Sequence, residues 1–298
     1  MYITNRIMNV NIELSPSKSN ILCEILKKLK LFTESFVLMV NNERLYIQGM
    51  DSSHIIIFDL HLSSEWFDKI ETSSDKNFEF GLHTTLLAKI LNIKSDSQSM
   101  RIYNDENSTD KLGIDFINGS SNDYDKFFEV PLMDIDNDLL EIPPTDYNAS
   151  IIIESKNFKK LIDDFHGLEF QNIQIKCSEY EVQFKSESSN GNMVLNINDS
   201  QMYSYNTTLD DDDVVSNSFN LNFIGKMCQF KVSKFICIQQ SPGIPIEIKY
   251  LLNPNDEKKM ENSDESNGSN EDNGNIEKLT RSWFKFYLAP CVSDDDFI

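Results

Sequence analysis

The segment IQGMDSSHIIIFDLHL, residues 47–62, decides the fold, because it contains two strand-like runs on either side of the polar turn MDSSH at 50–54. The first run starts earlier, at RLYIQGM (44–50), and another strand-like run, FVLMV (36–40), precedes it. Three strands are therefore expected in succession, with the turn before the third.

Helical patterns stand on both sides of these strands. Apolar residues at helical spacing predict one helix at 19–32 and a second at 84–94. Further strands are expected near 99–103, 111–117 and 126–130. The first half of the chain thus reads as strand, helix, three strands, helix and more strands.

The second half repeats this order. A strand and helix at 151–165 and a helix at 225–235 are expected around strands at 173–177, 181–185, 192–198, 244–252 and 282–290. KKL at 27–29 recurs at 159–161, an offset of 132, and the turn at 50–54 matches SSNGN at 188–192, an offset of 138. The pattern favours an internal duplication giving two similar α+β domains, with chance similarity as the alternative.

The domain boundaries follow from composition. LMDIDNDLLEIPPTD (132–146) is acidic, contains a proline pair and has no clear period, which is typical of an extended linker. The expected organisation is a first domain at 1–131, a connecting loop at 132–147, a second domain at 148–290 and an acidic tail at 291–298. A polar, acidic stretch at 253–280 is predicted to be a disordered insertion that leaves the fold intact.

Charge and composition exclude several classes of protein. The 298 residues include 27 Lys+Arg and 48 Asp+Glu, a net charge of −21, which argues against a generally basic nucleic-acid binder but not against a local basic surface. No apolar run approaches the roughly 18 residues of a membrane span. Five cysteines without a CxxC pair indicate reduced thiols and an intracellular protein.

Catalytic and metal-binding patterns are missing from the sequence. It has no phosphate-binding glycine motif, no HExxH and no GxSxG, and its four histidines show no metal-ligand spacing. The turn Asp51–His54 contains the residue types of a hydrolase triad, but triads are assembled from separated segments, and a turn of this kind between strands is rarely catalytic. The acidic run 210–213 could bind a cation, but such runs are usually solvated loops. We therefore expect no catalytic residues, no metal site and no cofactor.

The four predicted helices are unusually rich in lysine for so acidic a chain. A helical wheel predicts these buried faces: Ile21, Leu22, Ile25, Leu29 and Phe32; Leu86, Leu87, Ile90 and Ile93; Phe158, Leu161, Ile162 and Phe165. Lysines occupy the opposite faces, and the fourth helix is expected to carry Lys226, Lys231 and Lys234. Ordinary solvated faces are one interpretation. Aligned, the four faces would form a cationic surface able to hold a polyanion.

The chain resembles the proliferating cell nuclear antigen family, the eukaryotic sliding clamps of DNA replication. The resemblance rests on MDSSH, the linker LMDIDNDLLEIP (132–143), NGN (190–192) and FYLAP (286–290), which occur in the family's order over nearly the whole chain. It implies a DNA clamp fold of two similar domains, assembled as a ring-shaped homotrimer with helices lining the hole and sheets outside.

The resemblance also implies roles for particular residues. The DNA-facing positions would be Lys30, Lys89, Asn92, Lys160 and Lys226, with Lys27 added from the helical wheel. Family positions that are often basic read Cys23, Glu24 and Asn92 here, so the channel is expected to be less positive than usual.

A groove for short partner peptides with aliphatic and aromatic side chains is the second implied site. Its walls would be Met50, His54, Ile55, Leu140, Ile142, Pro143, Pro245, Tyr287, Leu288, Ala289 and Pro290. For Ile55 or Leu288 alone, an ordinary core position is the alternative.

Subunits would join through edge strands 126–130 and 192–198. The expected contact residues are Phe127, Phe128, Val130, Asn192, Met193 and Leu195, and Pro131 would remove one donor from the ladder. The family's ubiquitin-accepting lysine aligns with Glu179, so that switch is either absent or uses Lys176 or Lys185.

The implied function is that of a processivity factor without covalent chemistry of its own. It would encircle double-stranded DNA in the nucleus, tether DNA polymerase and other replication and repair proteins, and be opened by a separate clamp loader. The alternatives are a subunit of a heterotrimeric checkpoint clamp, an acidic scaffold that never encircles DNA and, remotely, a hydrolase built on His54.

Overall fold

The computed structural model describes residues 8–136, 138–189, 191–210, 212–253 and 281–291. The chain divides into two compact units, 1–52 with 59–140 and 53–58 with 141–298. Apart from Asn253 and Cys291, the expected insertion at 253–280 and tail at 291–298 lie outside the described residues.

The described residues of the first half form nine strands and two α-helices. They are β1 (Met8–Leu14), α1 (Pro16–Lys28), β2 (Ser35–Val40), β3 (Arg44–Met50), β4 (Ile56–Ser63), β5 (Lys69–Thr72), β6 (Phe78–His83), α2 (Thr84–Leu91), β7 (Ser99–Asp105), β8 (Ser108–Ile117) and β9 (Lys126–Pro131). A 3-10 turn, Leu29–Leu31, continues α1.

The second half repeats these eleven elements in the same order. They are β10 (Ala149–Glu154), α3 (Ser155–Gly167), β11 (Asn172–Cys177), β12 (Val182–Ser188), β13 (Gly191–Ile197), β14 (Ser204–Thr207), β15 (Val215–Asn220), α4 (Leu221–Met227), β16 (Phe235–Gln240), β17 (Ile246–Leu251) and β18 (Trp283–Leu288).

Strand pairing confirms the duplication. In the first half, five strands run in the order β5-β1-β7-β8-β9 and four in the order β4-β3-β2-β6. In the second half the orders are β14-β10-β16-β17-β18 and β13-β12-β11-β15, so each strand corresponds to the one nine places later. Central pairs such as β7 with β8 and β16 with β17 are antiparallel.

The core of each half lies where its two helices pack against the sheets. α1 packs against α2, with Leu22, Ile25 and Leu87 buried, and α3 packs against α4, with Phe158 and Ile224 buried. The helices are too short to be stable alone, so burial of these apolar faces holds them in place.

Glycine permits the close approach of α3 and α4. A Cβ added at Gly225 would lie 2.4 Å from Nε2 of His166, which is closer than van der Waals contact allows. The side chain of Asn220 accepts a hydrogen bond from the N–H of Asn222 and caps the first turn of α4.

Several predicted boundaries need correction. The fourth helix ends at Met227 instead of continuing to residue 235, so Lys231 and Lys234 lie beyond it, and Lys30 lies on the 3-10 turn after α1. Sequence reasoning missed β5, β6, β14, β15 and β16 and gave no range for β1. β6 and β15 run directly into helices, so no turn residues mark their ends.

One of the two repeat landmarks is wrong. The turns at 50–54 and 188–192 do join equivalent strands, β3 with β4 and β12 with β13. The two KKL sequences are not equivalent, because the first ends α1 while the second lies in the middle of α3.

The predicted orientation of α2 also needs correction. Ala88 and Leu91 are buried beside Leu87, whereas Leu86 is exposed and Ile93, just past the helix, is 51% exposed. Apolar residues surround this short helix on both sides, so the wheel could not identify the face that packs. None of the helices in the described part of the chain is both long and apolar enough to span a membrane.

Candidate functional surfaces

The helices are basic although the protein is acidic. The four α-helices and the 3-10 turn after α1 contain nine lysines and three carboxylates, a formal charge of +6 in a chain of −21. The helices are therefore the part of the described chain most suited to an anionic ligand.

Two classes of helix lysine can be distinguished by their partners. Lys28 lies 2.5 Å from Glu24, Lys159 lies 2.6 Å from Asp163, and Lys156 lies 2.9 Å from Glu154, so these charges are neutralised locally. The predicted DNA-facing lysines have no carboxylate within 4.0 Å among the described residues: Lys27, Lys30, Lys89, Lys160 and Lys226. Lys226 instead lies 5.5 Å from the ring centroid of Phe223.

The first unit has three positions where a basic residue is expected and absent. The carboxylate of Glu24 forms an ion pair with Lys28, and Asn92 is exposed at the C-terminal end of α2. Cys23 is buried, and this burial raises the pKa of its thiol to about 11, so it stays neutral. These residues leave α1 and α2 with less free positive charge.

The linker lies on the four-stranded sheet of the first unit. The N–H of Met133 donates to the carbonyl of Gly81 at 2.9 Å, forming an isolated bridge to β6. A Cβ at Gly81 would lie 2.1 Å from the Met133 carbonyl and 3.0 Å from the Ile135 side chain, so glycine is needed for this close approach.

A second anchor fixes the end of this segment. The Gln48 amide on β3 donates to the carbonyl of Leu140 at 3.0 Å and accepts from its N–H at 2.7 Å. The side chains of Leu139 and Leu140 remain exposed. The linker is thus anchored at Met133 and at Leu140, and it presents the apolar side chains of Leu139 and Leu140.

The predicted groove residues differ in their exposure. In the first unit Met50 is half-buried and Leu140 exposed. In the second unit the exposed or half-buried members are His54, Ile55, Ile142, Pro143, Pro245, Tyr287, Ala289 and Pro290. Leu288 is a core residue with no exposed surface, paired with Ile246, so its inclusion as a wall side chain was wrong.

The outer edge of β9 carries an apolar patch. Phe127 is 67% exposed, and Lys126 Nζ donates to the carbonyl of Ile93 at 2.9 Å, which places the start of β9 beside the end of α2. Phe128 packs on Phe116 with ring centroids 5.7 Å apart. Val130 points into the core of its own unit at 1% exposure, so its side chain is not available to a neighbouring subunit.

The edge of β13 has a different character. Val194 is 46% exposed, Asn192 is exposed, and Met193 and Leu195 are half-buried. Beside this strand lies a cavity of about 390 Å³ between α3 and β13, lined in part by Leu161, Leu195 and Ile197, with Lys160 and Asp164 at its polar side. Four of its ten lining residues are apolar and six are polar, and the cavity is large enough to admit a side chain from another molecule.

Sequence reasoning missed three exposed apolar residues: Leu86 on α2, Ile93 just after it and Val194 on β13. A signal for Val194 was present, because Met193, Val194 and Leu195 are consecutive apolar residues. Neighbours on a strand point to opposite faces, so one of the three had to be exposed. The same reasoning applies to Phe127 and Phe128.

The catalytic and metal hypotheses gain no support from the geometry. His54 is exposed at a left-handed φ of 59° and makes no hydrogen bond within the described ranges. Those ranges contain no group of three or more His, Cys, Asp or Glu side chains arranged to hold a metal ion. Glu179 lies in the turn between β11 and β12, and Lys185 pairs with Glu187 at 3.2 Å.

The duplicated arrangement of nine strands and two helices in each half of the described chain defines the class of protein: it is the two-domain α+β DNA-clamp fold. A crystal structure of proliferating cellular nuclear antigen from Entamoeba histolytica is similar to this chain with a TM-score of 0.76 and 18% identity, covering 96% of this chain and 100% of that one.

The family follows from the sequence matches. The N-terminal domain profile of proliferating cell nuclear antigen matches residues 11–140, and the C-terminal domain profile matches 141–260. The chain therefore belongs to the proliferating cell nuclear antigen family, a family of DNA sliding clamps.

Relatives over most of the chain agree with this assignment. The proliferating cell nuclear antigen of Chaetomium thermophilum is 24% identical over 94% of this chain and 97% of its own length. That of Dictyostelium discoideum is 25% identical over 79% and 92%. Proliferating cell nuclear antigen 2 of Drosophila melanogaster is 24% identical over 94% and 98%.

Proposed function

We propose that three copies of this chain associate head to tail into a closed ring around duplex DNA. The ring acts as a processivity factor and docking platform for replication and repair proteins and has no catalytic activity. The observation that carries the proposal is a pair of strands that end their sheets and differ in chemistry. They are β9, which presents Phe127, and β13, which lies beside the cavity.

The two edges are complementary in chemistry. Each strand ends its sheet in the order given above, so its outward backbone groups are available for a further strand. Phe127 and Ile93 on one side, and Val194 and the cavity beside Leu195 on the other, offer apolar surface for burial. Since the edges differ, the contact is heterologous, and such contacts form rings when the rotation closes.

The DNA contact in this proposal is weak and independent of sequence. The lysines without carboxylate partners would meet phosphates, which carry the same charge at every step along the duplex. The Glu24–Lys28 pair and Asn92 reduce this attraction. Closure of the ring, rather than affinity, would then keep the protein on DNA.

Partner docking would use the linker and the segment Tyr287–Pro290. The linker is fixed by Gly81 and Gln48 and presents Leu139 and Leu140. A partner peptide with aliphatic and aromatic anchors, such as one from a DNA polymerase, suits an apolar surface held in a fixed conformation. Nuclear localisation and opening by a separate clamp loader belong to the same proposal.

The first test is the solution mass of the purified protein by light scattering on a sizing column. A mass of three times 34.4 kDa is expected. Phe127→Asp should reduce it to that of the monomer, since a carboxylate would be buried without a partner. Tyr180→Asp is the matched control, because Tyr180 is also an exposed aromatic residue but lies in the turn between β11 and β12.

Other results would favour the alternatives. A monomeric wild-type protein would contradict the homotrimer and favour a heterotrimer with two different clamp subunits. A trimer whose stimulation of polymerase survives alanine at Lys30, Lys89, Lys160 and Lys226 would instead favour a scaffold that does not encircle DNA.

A further inference from the structure

One half-buried carboxylate in the first unit, that of Asp123, accepts hydrogen bonds from three serine hydroxyls. Asp123 accepts hydrogen bonds from Ser95 Oγ at 2.6 Å, Ser97 Oγ at 2.6 Å and Ser120 Oγ at 2.9 Å. The N–H of Ser120 also donates to it at 3.0 Å. Two loops are joined here: the one between α2 and β7, and the one between β8 and β9.

The joined loops support the start of β9. The Gln98 amide, fully buried, donates to the carbonyl of Tyr124 at 2.8 Å, and its oxygen accepts from Lys126 Nζ at 2.9 Å. A Cβ at Gly119 would lie 2.5 Å from the Cβ of Asp123, so the loop is packed tightly around the carboxylate. We call Ser95, Ser97, Ser120 and Asp123 the serine latch.

We propose that Ser120 is a phosphorylation site, and that its phosphorylation opens the serine latch and loosens the β9 edge. The site itself stands on the geometry of one protomer, whereas its effect on assembly rests on the proposed function. Ser120 is exposed, and carboxylates follow it at Asp123 and Asp125, which is the context that acid-directed protein kinases read.

The chemistry is transfer of the γ-phosphoryl group of MgATP. The Ser120 Oγ–phosphorus bond forms as the bond from the γ-phosphorus to the bridging oxygen of ADP breaks. The hydroxyl proton passes to the kinase's base, and ADP leaves. The hydroxyl is thereby lost as a donor to Asp123 and replaced by a group with a charge of about −1.5 to −2 and only acceptor oxygens at neutral pH.

The surroundings of the latch make this change disruptive. The serine hydroxyls hold the pKa of Asp123 well below its usual range, so its carboxylate is charged when the phosphate arrives. Asp96 and Asp125 belong to the same loops. Lys94 and Lys126 also reach these loops, but they donate to neutral acceptors, Lys94 to Asn20 Oδ1 at 2.7 Å and Lys126 to Gln98 Oε1 at 2.9 Å. In the described part of the chain neither lysine forms an ion pair with Asp123, so the phosphate would be placed beside a carboxylate that has no cationic partner.

The test treats the full-length protein with an acid-directed serine/threonine kinase and MgATP and maps the phosphate by mass spectrometry. We expect phosphate on Ser120 and none after Ser120→Ala. Hydrogen exchange of the amides in 120–131 should become at least tenfold faster, and the concentration at half-dissociation should rise at least tenfold. Absence of phosphate on Ser120 would overturn the proposal.

One variant mimics the phosphate, and a second variant is its control. Ser120→Glu should also accelerate exchange in 120–131, whereas Ser121→Glu should not, since Ser121 is exposed and makes no hydrogen bond within the described ranges. The latch mechanism would be refuted if the amides in 120–131 exchanged at the same rate in Ser120→Glu, in Ser121→Glu and in the phosphorylated protein. Because exchange is read within one protomer, a monomeric protein would contradict the ring while leaving this test intact.

Discussion

Gln48 holds Leu140 by both sides of its amide: Nε2 donates to the Leu140 carbonyl at 3.0 Å, and Oε1 accepts from the Leu140 N–H at 2.7 Å. The side chain therefore pairs with the linker backbone as a strand neighbour would. Gln48 itself is buried beneath the linker. This relationship fixes the point at which the linker leaves the first unit.

Replacing Gln48 by alanine should release this end of the linker. Two backbone groups lose their partner, so the free energy of unfolding should fall by about 1–2 kcal/mol. The amide of Leu140 should exchange faster with solvent. Gln183→Ala is a suitable control, because Gln183 on β12 makes one exposed side-chain bond, to Asn196. Unchanged hydrogen exchange at the Leu140 amide would contradict the role of Gln48 in holding the linker.

Gly225→Ala should destabilise the second unit, because the added Cβ would lie 2.4 Å from the His166 ring. The ring can partly turn away, so we expect a loss of about 1–2 kcal/mol in urea unfolding. Gly167→Ala is the control, since an added Cβ there meets nothing within 4 Å. Adding His166→Ala to Gly225→Ala should remove most of the penalty, which a double-mutant cycle measures.

The stability contributed by Asp123 should depend on pH. Its folded-state pKa is depressed by the hydrogen bonds from Ser95, Ser97 and Ser120, so this contribution is present above the unfolded value of 3.8. It is lost as the pH falls through the lower folded value. Asp123→Asn should therefore lower the urea midpoint at pH 7, with the difference shrinking below pH 4. Glu106→Gln, in the exposed turn between β7 and β8, should show no such change.

Thiol reactivity should separate Cys291 from the other cysteines. Cys23, Cys177, Cys228 and Cys237 are buried, and burial raises the pKa of Cys23 and of Cys177 to about 11. At pH 8 the native protein should react rapidly at one thiol and the denatured protein at five. Cys291→Ser should abolish the rapid reaction, and rapid labelling that survives this substitution would contradict the described burial.

Salt dependence should distinguish the two classes of helix lysine. Each phosphate contact contributes about 0.9 to the slope of log affinity against log salt concentration. Lys160→Ala should therefore reduce the slope measured with duplex DNA. The neighbouring Lys159→Ala should leave it nearly unchanged, because Lys159 is 2.6 Å from Asp163. Equal effects would mean that the carboxylate partner does not decide which lysine meets DNA.

The sequence predicted features with a local signal. The turn at 50–54, the runs that became β3 and β11 and the helical face of Phe158, Ile162 and Phe165 were recognisable because their periodicity is short-range. The family resemblance supplied the candidate residues, and the structure distinguishes among them by burial, removing the side chains of Val130 and Leu288 from the surface.

Other features depend on residues far apart in the chain. Gln48 and Leu140 are separated by 92 positions, and Ser95 and Asp123 by 28. Ile93 is exposed and α2 packs through Ala88 and Leu91, although hydropathy alone favours Ile93 over Ala88 as a core residue. No local pattern indicates which of two apolar faces meets its neighbour.

The serine latch is held by uncharged donors. Hydroxyl groups are not displaced by dissolved ions as ammonium partners are, so the loop before β9 should keep its shape over a wide range of ionic strength. The helix lysines without carboxylate partners would hold a polyanion by charge alone, and salt screens that attraction. A rising salt concentration should therefore weaken the binding of a polyanion to these lysines before it disturbs the fold that presents them.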